Sequence, residues 1–143
     1  MANLSKHITV ELENIQRVLE EIPLDKPMDR FNTLELGGIA ALILNFYNGI
    51  ENVLKQILLS KKITIPSGER WHKDLLNLAL KHKLVSKANY IALTRYLLFR
   101  HFFTHAYAYD LDSDQLGSLV KGIDKIYKSF LKGIKTYIEV SGK

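Results

Sequence analysis

Residues 97–111 read LLFRHFFTHAYAYDL, and the way this stretch ends decides what kind of helical protein the chain builds. An apolar run passes into Arg100, His101, His105, Tyr107 and Tyr109 within ten positions. Arg100 is a permanent cation whose planar donor fork suits phosphate oxygens. His105 can give or take a proton near neutral pH. The two are sufficient in type for metal-independent cleavage of RNA. That reaction needs a base for the ribose 2′-OH, an acid for the leaving 5′-oxygen and positive charge on the phosphorane. His101 and His105 also stand at i and i+4, a spacing that can hold zinc, but Phe102 occupies the place of a metalloprotease glutamate and no third ligand is evident. Tyr109 reads as a core aromatic with its hydroxyl at the surface.

Helix geometry constrains the pair. Five residues at 100° each put Arg100 and His105 about 140° apart around the axis. An uninterrupted helix would not aim both at one phosphate. Either the helix ends near Thr104 and the chain turns, or a second subunit completes the site. Spacing leaves both open.

Upstream, Ser86 can cap the helix that carries Tyr90, Leu93, Leu97 and Leu98 toward this segment. Before it, Trp71 to His82 reads as a short helix, preceded by a loop, KKITIPSGER, that turns at Pro66-Ser67-Gly68. Trp71 and His72 read as an aromatic anchor and a first-turn residue docking that helix. A long helix is expected from about Asp29 to Leu59, with Leu36, Ile39, Ile43, Phe46, Ile50, Val53, Leu54, Ile57 and Leu58 at helical spacing. Gly37, Gly38 and Gly49 weaken it by about 1 kcal/mol each relative to alanine, so close approach of a neighbouring helix is expected there. Asn48 and Glu51 on this helix are not separable by spacing from ordinary solvated positions, and they stay outside the candidate site. Leu4, Ile8, Leu12, Ile15 and Leu19 form the stripe of a first helix that Pro23 and Pro27 end.

Downstream, Asp112 with Gln115 reads as a capping box opening one last helix. Leu116, Leu119, Ile123, Ile126, Phe130, Ile134 and Ile138 face inward on it. Lys121, Lys125, Lys128, Lys132 and Lys135 form its solvated face. No strand pattern, repeat or low-complexity tract is visible. The expectation is an all-α bundle of four or five helices, a single domain spanning residues 1–143.

Composition narrows the class of function. The chain has no cysteine, which removes disulfides, zinc-thiolate sites and cysteine nucleophiles. The amino-terminal sequence has no apolar core of a signal peptide, and no apolar run is long enough to span a bilayer. A soluble cytoplasmic protein with no membrane association is expected. The net charge of +5 is uneven: residues 36–109 carry ten Lys/Arg against three Asp/Glu, whereas residues 1–35 carry four against seven. The basic part holds the candidate site, which suits a phosphate backbone as partner.

The same residues carry a family resemblance. Arg100-His101-x3-His105 matches the ribonuclease motif of HEPN domains, and with Tyr107 it becomes the R-x4-H-x-Y form of HepT toxins. Pro66-Ser67-Gly68, then Trp71-His72-Lys73-Asp74-Leu75-Leu76, resembles a PSG…WH-K/R-DLL element of HepT-like proteins. Phe99-Arg100-His101, Tyr107 and Leu111-Asp112 resemble their FRH…Y…LD stretch. The resemblance implies a HEPN-type homodimer with a composite cleft, acting as an endoribonuclease toxin without cofactor or metal. It implies catalysis by Arg100 and His105, with His101 assisting. It also implies a minimal nucleotidyltransferase (MNT-type) antitoxin that transfers AMP to Tyr107. The other reading within the resemblance is a non-catalytic HEPN partner of such a nucleotidyltransferase.

Overall fold

Helix α1 (Ala2–Glu21) ends where the first proline is about to come, and its stripe of Leu4, Ile8 and Ile15 is buried. The computed structural model describes residues 2–107 and 110–141, and it is helical throughout, with no strand among them. A 3-10 turn at Met28–Arg30 follows the prolines, and then α2 (Thr33–Ser60) begins. This start lies beyond the expected one near Asp29, because Asn32 and Glu35 form a reciprocal capping box. The Glu35 N–H donates to Asn32 Oδ1 at 2.8 Å and the Asn32 N–H donates to Glu35 Oε1 at 2.9 Å. Two orphan amides are satisfied at once, which fixes the first turn.

Helix α2 is the axle of the bundle. It packs against α1, α3, α4 and α5, and its Ile43, Phe46, Ile50, Val53 and Ile57 are wholly sealed from solvent. Burying each such side chain contributes about 1.5–3 kcal/mol. Phe46 also meets Tyr96 and Tyr127 edge-on, at ring-centroid distances of 5.5 and 6.3 Å, and so ties α2 to two later helices.

The three glycines of α2 divide. A Cβ on Gly49 would stand 2.5 Å from Ile15 Cγ1, so α1 crosses α2 there as expected of a small residue. A Cβ on Gly37 or Gly38 would meet nothing within 4 Å, so close approach does not explain those two. A contrast follows. Gly49→Val should cost about 2–3 kcal/mol through overpacking against Ile15. Gly38→Ala should stabilise by up to about 1 kcal/mol through helix propensity alone. Urea unfolding of the two variants, read by circular dichroism, checks both signs.

The loop after α2 turns with Gly68 at φ +101°, a conformation that only glycine adopts without strain, and delivers α3 (Trp71–Lys81). Ser86 then caps α4 (Lys87–His105) as expected, its hydroxyl accepting from the Asn89 N–H at 3.0 Å. Asn89 is buried and donates to Ser129 Oγ at 2.9 Å, a polar tie to the last third of the chain.

That last third is not the single helix its spacing suggested. It forms α5 (Ser113–Lys121), α6 (Ile123–Gly133) and α7 (Lys135–Ser141), bent at Gly122 and Ile134. A straight helix of that length would run about 43 Å, past the end of the bundle. The bends keep Leu116, Leu119, Ile123, Phe130 and Ile134 inward. The second bend follows close packing: a Cβ on Gly133 would sit 2.8 Å from the Leu84 carbonyl oxygen, where the chain passes from α3 to α4. At the start of α5 the cap is half of the expected box. Asp112 Oδ1 accepts from the Asp114 N–H at 2.9 Å, while Gln115 lines a groove beside Leu98 and Phe99. Four of the five expected lysines, Lys121, Lys125, Lys128 and Lys132, border one shallow basic groove. Among the described residues, no helix is long and apolar enough to cross a membrane.

Candidate active site

Helix α4 brings the motif residues to the end of the bundle in one unbroken piece. It includes Thr104 and His105, and the chain leaves helical geometry only at Ala106 (φ −104°, ψ 157°). The helix thus ends just past Thr104, but after His105 and not before it, so the change of direction does not re-aim the histidine. Arg100 and His105 leave one continuous helix about 140° apart, on different faces.

His105 is exposed at the helix end, and its ring is held. A carbonyl can only accept, so His105 Nδ1 carries the hydrogen and donates to the His101 carbonyl oxygen at 2.9 Å. Thr104 Oγ1 lies 3.1 Å from the same nitrogen, and the Thr104 hydroxyl donates to the same carbonyl at 2.9 Å. This tautomer leaves Nε2 outward as the reactive nitrogen. The His101 ring lies beside that of His105, 4.9 Å between centroids. His101 thus steadies His105 through its main chain and its ring face. No group of three or more potential metal ligands gathers among the described residues.

Arg100 faces the other way, into the bundle. Its Nε is sealed from solvent with no hydrogen-bond partner among the described residues, and the Tyr47 hydroxyl on α2 is in the same condition. The Arg100 terminal nitrogens are not so sealed. The stem is packed and the fork reaches the surface, as long cationic side chains do. Burial, then the charge of Glu51, push the Tyr47 phenol far above its ordinary range, while the Arg100 charge pulls it down. Tyr47 therefore stays neutral, between a carboxylate and a guanidinium.

Spacing did not single out the carboxylate in this cluster. Glu51 is only 3% exposed, one turn beyond Tyr47 on the buried side of α2. His72 Nδ1, in the first turn of α3, donates to both Glu51 oxygens at 2.9 and 2.8 Å. Trp71 stacks on the His72 ring at 3.5 Å between centroids, and Lys55 Nζ lies 4.1 Å from the Trp71 ring centroid. Trp71 is the anchor its sequence suggested. His72 docks as well, but through a buried acid. The available signal was a glutamate sharing the apolar stripe of Tyr47, Ile50 and Leu54, where a solvated side chain does not belong.

Tyr107 stands two residues past the helix end, 69% exposed. Its N–H donates to Asp110 Oδ2 at 3.1 Å and the Asp110 N–H donates back to the Tyr107 carbonyl at 2.9 Å. This reciprocal pair ties the Tyr107 backbone to Asp110. Tyr109 lies outside the described residues.

A wholly helical bundle with an arginine and a histidine five positions apart, at the end of its fourth helix, is the arrangement of a HEPN-type protein. A family model described as HepT-like protein matches residues 38–141, from the early part of α2 through the motif to α7. The chain belongs to the HepT-like family. That places it among HEPN proteins of toxin type, related in general to ribonuclease toxins. No curated protein and no solved structure matches the chain significantly.

Proposed function

We propose that the chain is a metal-independent RNA endonuclease, the toxin of a toxin–antitoxin pair, in which residues 1–143 act as one HEPN domain. The observation that carries this reading is the held tautomer of His105. Its Nε2 is presented at an exposed helix end, in a HepT-like chain that carries Arg100 on the same helix. In the reaction the ribose 2′-oxygen attacks phosphorus and the bond from phosphorus to the 5′-oxygen breaks. One proton leaves the 2′-OH and one arrives on the 5′-oxygen, so the products are a 2′,3′-cyclic phosphate and a 5′-hydroxyl. His105 Nε2 transfers protons, and the Arg100 fork balances charge on the phosphorane. The test is RNA cleavage by the purified protein in EDTA. Failure to cleave in any condition leaves the other reading, a non-catalytic partner of a nucleotidyltransferase.

The working form in this proposal is a homodimer, because one subunit aims its arginine and histidine apart. Ile91 and Leu98 are 58% and 64% exposed, and with His105 they stand seven residues apart along α4. Heptad spacing keeps the three within about 40° of one another on the helix surface. A second copy of this strip is self-complementary around a two-fold axis. Its apposition would bury the exposed apolar pair and draw the two motif ends together. Light scattering at micromolar concentration should report about twice the 16.4 kDa chain mass, and Leu98→Asp should shift it to the monomer. A monomeric wild-type protein would remove the composite cleft.

A further inference from the structure

We infer that His72 is a second proton-transfer residue of the RNA-cleaving site, with Glu51 as its positioning carboxylate. The inference rests on the RNA-cleaving reading above, and it concerns side chains that lie outside the R-x4-H segment altogether.

Three observations converge. First, the pair has the geometry of an oriented acid–base dyad. A carboxylate 3% exposed takes the Nδ1–H of His72 with both oxygens, which fixes the tautomer and leaves Nε2 as the only ring nitrogen for other chemistry. Second, that nitrogen is not sealed, in a side chain that is 15% exposed. It has no hydrogen-bond partner among the described residues, yet it is not among the side-chain atoms sealed from water. Trp71 covers one ring face and Glu51 takes the Nδ1 edge. Third, the dyad shares its surroundings with Arg100. Glu51 and Tyr47 are one turn apart on α2, and Tyr47 feels the charges of both Glu51 and Arg100. His72 on α3 and Arg100 on α4 thus approach the same stretch of α2 from two sides.

A docking role alone explains little of this. Holding α3 against α2 needs only apolar contact, which Leu75, Leu76 and Trp71 already supply. Breaking a buried charged contact by removing one partner is costly, and an apolar pair of similar volume would hold the helices as well. What the acid adds is a fixed imidazole orientation and a countercharge for the imidazolium that forms when Nε2 takes up a proton. His72 therefore takes the proton of the ribose 2′-OH as the 2′-oxygen attacks. His105 of the second copy, which enters the step as imidazolium, gives its proton to the leaving 5′-oxygen. One proton is taken and one given, and solvent exchange resets both rings.

Nuclear magnetic resonance of the wild-type protein tests this without any variant. The five histidines give five Cε1–H signals, and the probe is a short 2′-O-methyl RNA, which binds but cannot be cleaved. The signals of His72 and His105 should both move as RNA is added. Movement of His105 without His72 overturns the dyad and leaves the nuclease reading standing. If neither moves, both fall. The kinetic arm is His72→Gln, which should lower the cleavage rate by about 10²-fold or more while RNA affinity stays within about threefold. Loss of less than about tenfold overturns the proposal. Glu51→Gln keeps an acceptor for the Nδ1–H and removes the countercharge. It should slow cleavage while leaving the His72 ring signal responsive to RNA, which a purely structural role for Glu51 would not produce.

Discussion

His105→Ala should lower RNA cleavage by about 10²–10⁴-fold with no change in helical content, the range lost when a positioned proton-transfer group is removed. The ring is exposed and its hydrogen bonds go to its own helix end, so its removal unseats no packed side chain. Arg100→Ala should cost about 10²–10³-fold through lost charge on the phosphorane. It should also lower stability, because Nε is sealed inside the bundle. The decisive result comes from mixing the two inactive variants. In a dimer with a composite cleft, a mixed pair joins the intact Arg100 of one copy to the intact His105 of the other. Subunit exchange should then raise the rate at least about tenfold above either variant alone, as two-fold symmetry requires of a shared site. A mixture as inactive as its components would show that each subunit needs its own pair. The unbroken helix between Arg100 and His105 would then have to rearrange on binding RNA.

The expectation of a helical bundle rested on strong and simple signals. Ser86 and the stripe of Leu4, Ile8 and Ile15 could be read because a cap and a 3.6-residue period are local, and the structure places them accordingly. Asn32 and Glu35 carried an equally local signal, and the capping box they form moved the start of α2. The bends at Gly122 and Ile134 were hidden for a different reason. Inward residues keep their spacing through both bends, so the period continues while the axis changes direction. What forces the change, the Leu84 carbonyl against Gly133, is a contact between distant parts of the chain. The candidate site divides in the same way. Arg100, His101, His105 and Tyr107 sit in one short segment and could be recognised as a set. Glu51 and His72 come from two helices and meet only in the fold, so neither was read as part of the site, although Glu51 on an apolar stripe was a signal at hand. Five steps of continuous helix turn the histidine away from the arginine, and that separation is what makes a second copy of the chain part of the proposal.

Incubation with a minimal nucleotidyltransferase, ATP and magnesium should add AMP to Tyr107, and the modified protein should lose RNA cleavage. Two features support this residue as the acceptor. Tyr107 is 69% exposed, and the reciprocal bonds with Asp110 fix its backbone, so an incoming enzyme meets a presented side chain and not a buried one. It also lies two residues past His105, close enough for an added group to obstruct that ring. The transfer joins the tyrosine oxygen to the α-phosphorus of ATP and releases pyrophosphate, with the phenolic proton passing to solvent or to the nucleotidyltransferase. Each AMP brings a negative phosphodiester to the place where an RNA phosphate should sit, so repulsion and bulk act together against substrate. The loss should be large, because the modification opposes binding and also blocks access to His105. Mass spectrometry of the intact protein counts the AMP groups, and peptide mapping places them. Tyr107→Phe should keep its fold and its cleavage and should take up no AMP. If AMP settles mainly on another tyrosine, or if fully modified protein cleaves RNA at the unmodified rate, neutralisation through Tyr107 is wrong. Loss of cleavage in the modified wild type, with the phenylalanine variant still active beside the same enzyme, would tie the silencing to that one hydroxyl.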